Sequence, residues 1–142
     1  MELGLKGKVA MVAAASKGLG FGIAKALADE GAKLSIGSRT KDDIEAAAKR
    51  LRKENNTEVL SSVMDSSNPE SILEWTDATI REFGGVDKLV VNAGGPPAGK
   101  FEDFSDEDWQ AAFDLNLFSA VRMIRATLPS MRQRGGGAVL TI

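Results

Sequence analysis

The sequence predicts a doubly wound α/β fold built on a parallel sheet, and three observations carry that expectation. Short runs rich in Val, Ile and Leu recur along the 142 residues, helix-length stretches with their own start and stop signals separate them, and most of the runs are apolar throughout rather than alternating. Uniformly apolar strands suit a sheet covered by helices on both faces, and regular strand–helix alternation joins such strands in parallel. Five strands are expected: Val9 to Ala14, Lys33 to Gly37, Glu58 to Met64, Lys88 to Asn92 and Ala138 to Ile142. Gly31 closes the first helix, Thr40 opens the second, Asn68-Pro69 opens the third and Gly84-Gly85 ends it. Pro just inside a helix start and Gly just past its end are the usual punctuation. No linker, repeat or low-complexity tract divides the chain, so residues 1–142 read as one domain.

The fourth helical stretch begins at Ser105 with Asp108 three positions on, in the manner of a capping box. It runs towards Arg134, with an interruption expected near Pro129. Phe113, Leu117, Ala120, Ile124 and Leu128 follow helical spacing and make a stripe expected to cover the sheet, while Ala111, Leu115 and Phe118 lie opposite. That second face, unless enclosed by its own domain, calls for another subunit, so a homodimer or homotetramer through the Ser105–Arg134 region is expected. Arg132 and Arg134 read as a solvated helix end whose cations complement the dipole. The sequence stops at Ile142 in an apolar strand, and an apolar edge invites association unless the sheet continues. The expectation is therefore an incomplete domain that natively extends further.

Composition narrows the chemistry. Lys plus Arg number 18 against 20 Asp plus Glu, a net charge of −2, and 43% of the chain is apolar. Mixed signs offer no broad basic field for nucleic acid, and no membrane surface is expected to be a partner. The absence of His, Cys and Tyr removes Ser-His-Asp and Cys-His catalysis, thiolate or imidazole metal sites, disulfides and any phenol acid from these residues. The longest apolar run, Val9 to Ala15, falls far short of the roughly 20 residues that span a bilayer. The start lacks a signal peptide's apolar centre, and a cytoplasmic location is expected.

After the first strand comes Ala13-Ala14-Ala15-Ser16-Lys17-Gly18-Leu19-Gly20-Phe21-Gly22, leading directly into a helix. In a strand–glycine turn–helix unit the backbone approaches a pyrophosphate closely, and the free amides and dipole of the helix start bind its charge. The G-x-G-x-x-G form is not met, because Ile23 stands where its third glycine would fall. About 20 residues beyond such a turn, an acid marks preference for NAD and a cation marks NADP. Here the segment reads Gly37-Ser38-Arg39-Thr40, the first acids being Asp42 and Asp43 in the next helix's first turn, and Lys17 adds a second cation. The charge pattern favours NADP(H) over NAD(H).

The glycine turn combines with Asp65 after the third strand, Asn92-Ala93-Gly94 after the fourth and Asn116 within the long helix. Together these resemble the short-chain dehydrogenase/reductase family, 3-oxoacyl-carrier-protein reductases among them, over the N-terminal cofactor-binding part of its Rossmann-like fold. The family motif Thr-Gly-x-x-x-Gly-x-Gly keeps Gly18 and Gly20, but Ala13-Ala14 replaces Thr-Gly, and a methyl at Ala14 is expected to crowd the turn. The resemblance implies that Ser16, Lys17 and Leu19 line the phosphates and nicotinamide side and that Ala14, Gly18 and Gly20 are likewise cofactor-binding. It likewise implies Arg39 at the 2′-phosphate, Asp65 at the adenine edge, and Asn92, Ala93 and Gly94 at the ribose, with Ser38 and Ser66 also among the cofactor-binding residues. Asn116 would join a catalytic Asn, Ser, Tyr and Lys group, the helix bending there so that its carbonyl holds a water in a proton relay. Helical spacing puts Asn116 on the apolar stripe, where an unpaired buried amide would cost about 1 to 3 kcal/mol.

The family's Ser and Tyr-x-x-x-Lys would follow Ile142. The resemblance thus implies an NADP-dependent oxidoreductase for the complete protein, acting on a small carbonyl or alcohol substrate. The alternative is a nucleotide-binding or regulatory module without hydride transfer. A methyltransferase of the same fold would call for an acid near Arg39.

Overall fold

The computed structural model describes residues 2–142. Its strands are β1 (Val9–Ala13), β2 (Lys33–Ser38), β3 (Val59–Val63), β4 (Lys88–Val91) and β5 (Ala138–Thr141), and its helices α1 (Gly18–Asp29), α2 (Lys41–Asn55), α3 (Pro69–Phe83), α4 (Asp106–Phe113) and α5 (Ser119–Gln133). Each expected strand is present with its ends within one residue of the sequence reading. All pairings are parallel and the order is β3-β2-β1-β4-β5. The chain therefore leaves β1 towards one edge, returns, and builds outward from β4 on the other side. That reversal opens a crevice between the C-terminal ends of β1 and β4, where open α/β sheets hold their ligands.

Strand alternation divides the core into two layers. Ala10 and Val12 of β1 face α1 and α2, packing with Leu34, Ile36, Ala24, Ile44 and Leu51. Met11 and Ala13 face α3 and α5, packing with Leu89, Val91, Ile72, Trp75, Met123 and Met131. The second layer encloses a small polar cluster in which Trp75 Nε1 donates to Ser35 Oγ at 2.9 Å and Ser35 Oγ lies 2.6 Å from Thr79 Oγ1. Each buried polar atom there has a partner, which is the condition for its burial.

Local chemistry explains the ends of α3: Asn68 Oδ1 accepts from the amides of Glu70 and Ser71, Pro69 fills the first helical position, and Gly84 ends the helix at φ +82°. Ser105 and Asp108 form the expected capping box at α4.

The long helix departs from expectation. Pro129 lies inside an unbroken α5, where the carbonyl left without its helical donor is that of Arg125, an exposed residue. The interruption instead occupies Asp114–Phe118, a π turn between α4 and α5. A π turn inserts one residue and rotates everything after it by about 100° relative to an unbroken helix. Phe113, before the turn, and Leu117, within it, stand 50% exposed, whereas Ser119, Met123, Thr127, Ser130 and Met131 are buried and Ala120 and Ile124 of the expected stripe pack against the core from partly buried positions.

Arg134 is not a solvated helix end either. Its Nε and Nη2 donate to Asp87 Oδ1 and Oδ2 at 2.8 and 2.9 Å, and Asp87 Oδ2 also accepts from the Val9 amide at 2.8 Å. The buried Asp87 thus fastens the start of β1, the start of β4 and the end of α5 at the N-terminal end of the sheet. Burial alone would raise its pKa and is the largest single influence. The bonds from Arg134 and Val9, with the charges of Arg134 and Lys8, outweigh burial and hold the carboxyl below its ordinary value.

Because the unfolded chain takes up this proton before the folded one does, the Asp87 contribution is present above about pH 4 and fades as pH falls through the lower folded value. Asp87→Ala, which leaves the Val9 amide and Arg134 without their acceptor, is expected to lower stability by about 3 kcal/mol at neutral pH. Urea unfolding across pH 3 to 7 checks both statements, and the penalty of the variant should shrink towards the acid end.

Candidate active site

At the end of β1 the chain turns through Ala14 at φ +49° and is held to the sheet by the Ala15 amide donating to Gly37 O at 3.2 Å. Lys17 is extended and makes no side-chain cap, Gly18 turns at φ +59°, and α1 begins without an acidic residue in its first turn. The amides of Gly18, Leu19 and Gly20 have no carbonyl four residues back inside the helix, so this end of α1 is a free donor set with positive dipole character. A Cβ at Gly20 would overlap the Ala14 carbonyl and sit 2.9 Å from Asn92 Nδ2. Only glycine lets α1 come this close to β1.

The other strand ends converge on the same place. Asn92, just past β4, reaches across the crevice with Nδ2 3.5 Å from Ala14 O. A cavity of about 400 Å³ lies here, walled by Ala14, Ser16, Lys17 and Leu19 after β1, Ser38 and Arg39 at β2, Ser66 after β3, and Asn92, Ala93 and Gly94 after β4. Among the described residues, the buried Ser38 Oγ at these walls has no hydrogen-bond partner. Ten of the fourteen residues singled out from sequence therefore share one cavity.

The remaining four sit differently. Gly18 and Gly20 shape the turn rather than line it. Asp65 lies beside the cavity, its Oδ1 accepting from Ser67 N at 2.9 Å and Ser67 Oγ at 2.7 Å. The side-chain and backbone bonds from Ser67, with help from the Arg39 charge, outweigh partial burial and keep the Asp65 carboxyl below its ordinary pKa. Asn116 is exposed, not buried on an apolar stripe: it lies within the π turn, where Leu117 beside it and Phe113 one turn earlier are themselves half exposed. Its Nδ2 donates to Ala112 O at 3.0 Å, so its side chain already has a local partner while its own carbonyl lies in the irregular turn.

Five further residues line the cavity: Thr40, Asp43, Met64, Gly95 and Leu115. Asp43 is the one with electrostatic weight, since it sets an acid on the wall that carries Arg39 and Lys17. Its place in the first turn of α2 gives it a local reason to be acidic, which hides its second position from sequence reading. Leu115 turns into the cavity instead of lying beside Phe118 on an outer face, again because it belongs to the π turn. The methyl of Ala14 is accommodated at the cavity wall; what it costs is the left-handed backbone. A more apolar recess of about 520 Å³ adjoins, sharing Arg39, Gly95 and Leu115 and walled by Pro96, Pro97, Phe104 and Trp109.

A glycine turn opening a helix, at the reversal point of a five-stranded parallel sheet, defines the Rossmann-like class of nucleotide-binding folds. The family profile for short chain dehydrogenase matches residues 8–142, and the chain belongs to that family. It is 35% identical to dehydrogenase/reductase SDR family member 4 of Caenorhabditis elegans over 136 residues, 95% of this chain and 52% of the relative. Among solved structures, L-sorbose reductase from Gluconobacter frateurii, complexed with NADPH and L-sorbose, superposes with a TM-score of 0.96 at 36% identity, covering 99% of this chain and 54% of the other. A 7α-hydroxysteroid dehydrogenase complexed with NADH and 7-oxo glycochenodeoxycholic acid gives 0.92 at 30% identity, covering 97% and 53%. The chain spans about half the length of these relatives.

Left-handed backbone costs a residue with a Cβ about 1 to 2 kcal/mol, part of which glycine returns through its freer unfolded chain. Ala14→Gly is therefore expected to stabilise the protein by about 1 kcal/mol, seen as a higher urea midpoint at unchanged slope. Gly20→Ala should instead be destabilising, because the clash is with backbone.

Proposed function

We propose that the complete protein is an NADP(H)-dependent oxidoreductase acting on a small carbonyl or alcohol substrate. The observation that carries this reading is the cavity itself: free amides at the start of α1, an unpartnered buried Ser38 hydroxyl, and two cations, Lys17 and Arg39, around one space. This donor set fits a dinucleotide, since the first α1 amides have no acceptor within the helix and, among the described residues, the Ser38 hydroxyl has no hydrogen-bond partner, so a phosphate or ribose oxygen would satisfy them. In this reading the α1 amides hold the pyrophosphate, Ser38 and Arg39 meet the 2′-phosphate, and Asp65 and Ser66 bracket the adenine edge. Asn92, Ala93 and Gly94 border the ribose. Bound there, the cofactor would give or take a hydride at its nicotinamide ring.

In this reading the chain's own part in catalysis is Asn116, which lies in the π turn and whose backbone carbonyl would hold a water that relays the proton. The reading requires a Ser and a Tyr-x-x-x-Lys beyond Ile142 to exchange that proton with the substrate oxygen. It also takes the protein as a homodimer or homotetramer through the Ser105–Arg134 region, where Phe113, Leu117, Phe118 and Val121 are 37 to 50% exposed. Among the described residues no helix is long and apolar enough to cross a membrane, and no cluster of acids is arranged to hold a metal ion.

Charge-assisted bonds to a phosphate contribute about 1.5 to 3 kcal/mol each, so Arg39→Asp should weaken NADPH binding about tenfold or more and leave NADH binding nearly unchanged. Fluorescence titration of the full-length polypeptide with both cofactors checks this. Equal wild-type affinities would refute the NADP preference, and binding of neither would refute the dinucleotide reading. For the assembly, sedimentation of Leu117→Glu with Phe118→Lys is expected to show a smaller species that retains its circular dichroism; a monomeric wild type at micromolar concentration would end that part.

A further inference from the structure

Arg122, in the first turns of α5, lines neither cavity, yet three contacts converge on its guanidinium. Nη2 lies 3.4 Å from Asp114 Oδ1, Nη1 lies 3.4 Å from Ser67 O, and the guanidinium carbon stands 5.5 Å from the centroid of the Phe118 ring. Asp114 and Phe118 are the first and last residues of the π turn, so one side chain grips both of its ends. Such a grip has a physical purpose, because a π turn is an irregular, less favourable form of helix that persists where the surroundings hold it. Ser67, the third contact, is the residue whose amide and hydroxyl fix the Asp65 carboxylate.

The polar path therefore runs from Arg39, through the charge it shares with Asp65, to Ser67, Arg122 and Asp114. We infer that Arg122 is a positioning residue that holds the Asp114–Phe118 turn, and Asn116 within it, in fixed relation to the Asp65–Ser67 loop. It rests on the reading of Asp65 and Asn116 given under the proposed function and acts through them without touching a ligand. The planar fork of arginine suits the task, since it presents donors in two directions at once; a lysine ammonium at the end of a flexible stem can meet either acceptor but does not hold both.

Hydrogen exchange read by mass spectrometry on the full-length protein without cofactor tests the coupling directly. Arg122→Met is expected to speed exchange in residues 114–118 and 65–67 together, by about threefold to thirtyfold, with no comparable change in β1 or β4. Arg122→Lys should restore one of the two segments at most. Asp114→Asn, a milder change that also serves should Arg122→Met fail to fold, is expected to loosen 114–118 while Ser67 stays held. In titrations the Kd for NADPH should rise over the same range in Arg122→Met. A rise in exchange spread evenly over the whole sheet, a change confined to one segment in Arg122→Met, or no local change would overturn the inference. Failure of the wild type to bind either cofactor would overturn the proposed function instead, and the exchange pattern would still decide the role of Arg122.

Discussion

The start of α1 packs against the end of β1 so closely that no side chain fits between them, and the arrangement of the cavity depends on that contact. Gly20 is the residue that permits it, with the Ala14 carbonyl and the Asn92 amide pressed against its backbone. Were α1 pushed outward by a single methyl, its free amides would withdraw from the crevice, and Asn92 would lose the wall it leans on. The turn before it meets the same demand at Ala14, where the chain adopts a left-handed conformation in spite of its Cβ. Close approach takes precedence over local backbone comfort here, a balance common where a fold must present its main chain to a ligand.

Most of the fold was legible because its signals are repetitive. Uniform apolar runs, a Pro at one helix start and Gly at helix ends state strand, helix and boundary independently, and they agree. The cavity was legible for a related reason: once the strands are known to be parallel, their C-terminal ends must gather at one edge, and Ala14, Ser38, Ser66 and Asn92 are the residues found there. Thr40 and Asp43 escaped because each has a sufficient local explanation at a helix start. A residue with two roles shows only the nearer one to a reading along the chain.

The long helix was the part that a periodic reading misjudged. Between Phe113 and Ser119 one additional residue is wound into the turn, and every face after it shifts. Spacing counted from Phe113 forward therefore put Leu117 on the sheet and missed Met123 and Met131, which cover it together with Ala120 and Ile124 of the expected stripe. Nothing in Asp114-Leu-Asn-Leu-Phe118 departs from ordinary helical composition, so the slip has no signature in hydrophobicity. The bend at Asn116 came only from family resemblance, and Arg134 was misread for a similar reason, since its acceptor Asp87 is 47 residues away in sequence.

That acceptor sits at the opposite end of the sheet from the cavity, with strand length between them. Effects of substitutions that far apart and sharing no partners tend to add rather than interact. Asp87 and its bonds to Val9 and Arg134 secure the frame without drawing on any residue that lines the crevice. The crevice walls are thereby left free to vary: a substitution at Ser38, Arg39 or Asp43 disturbs no bond that Asp87 makes, so its cost in stability adds to that of a change in the foundation without compounding it.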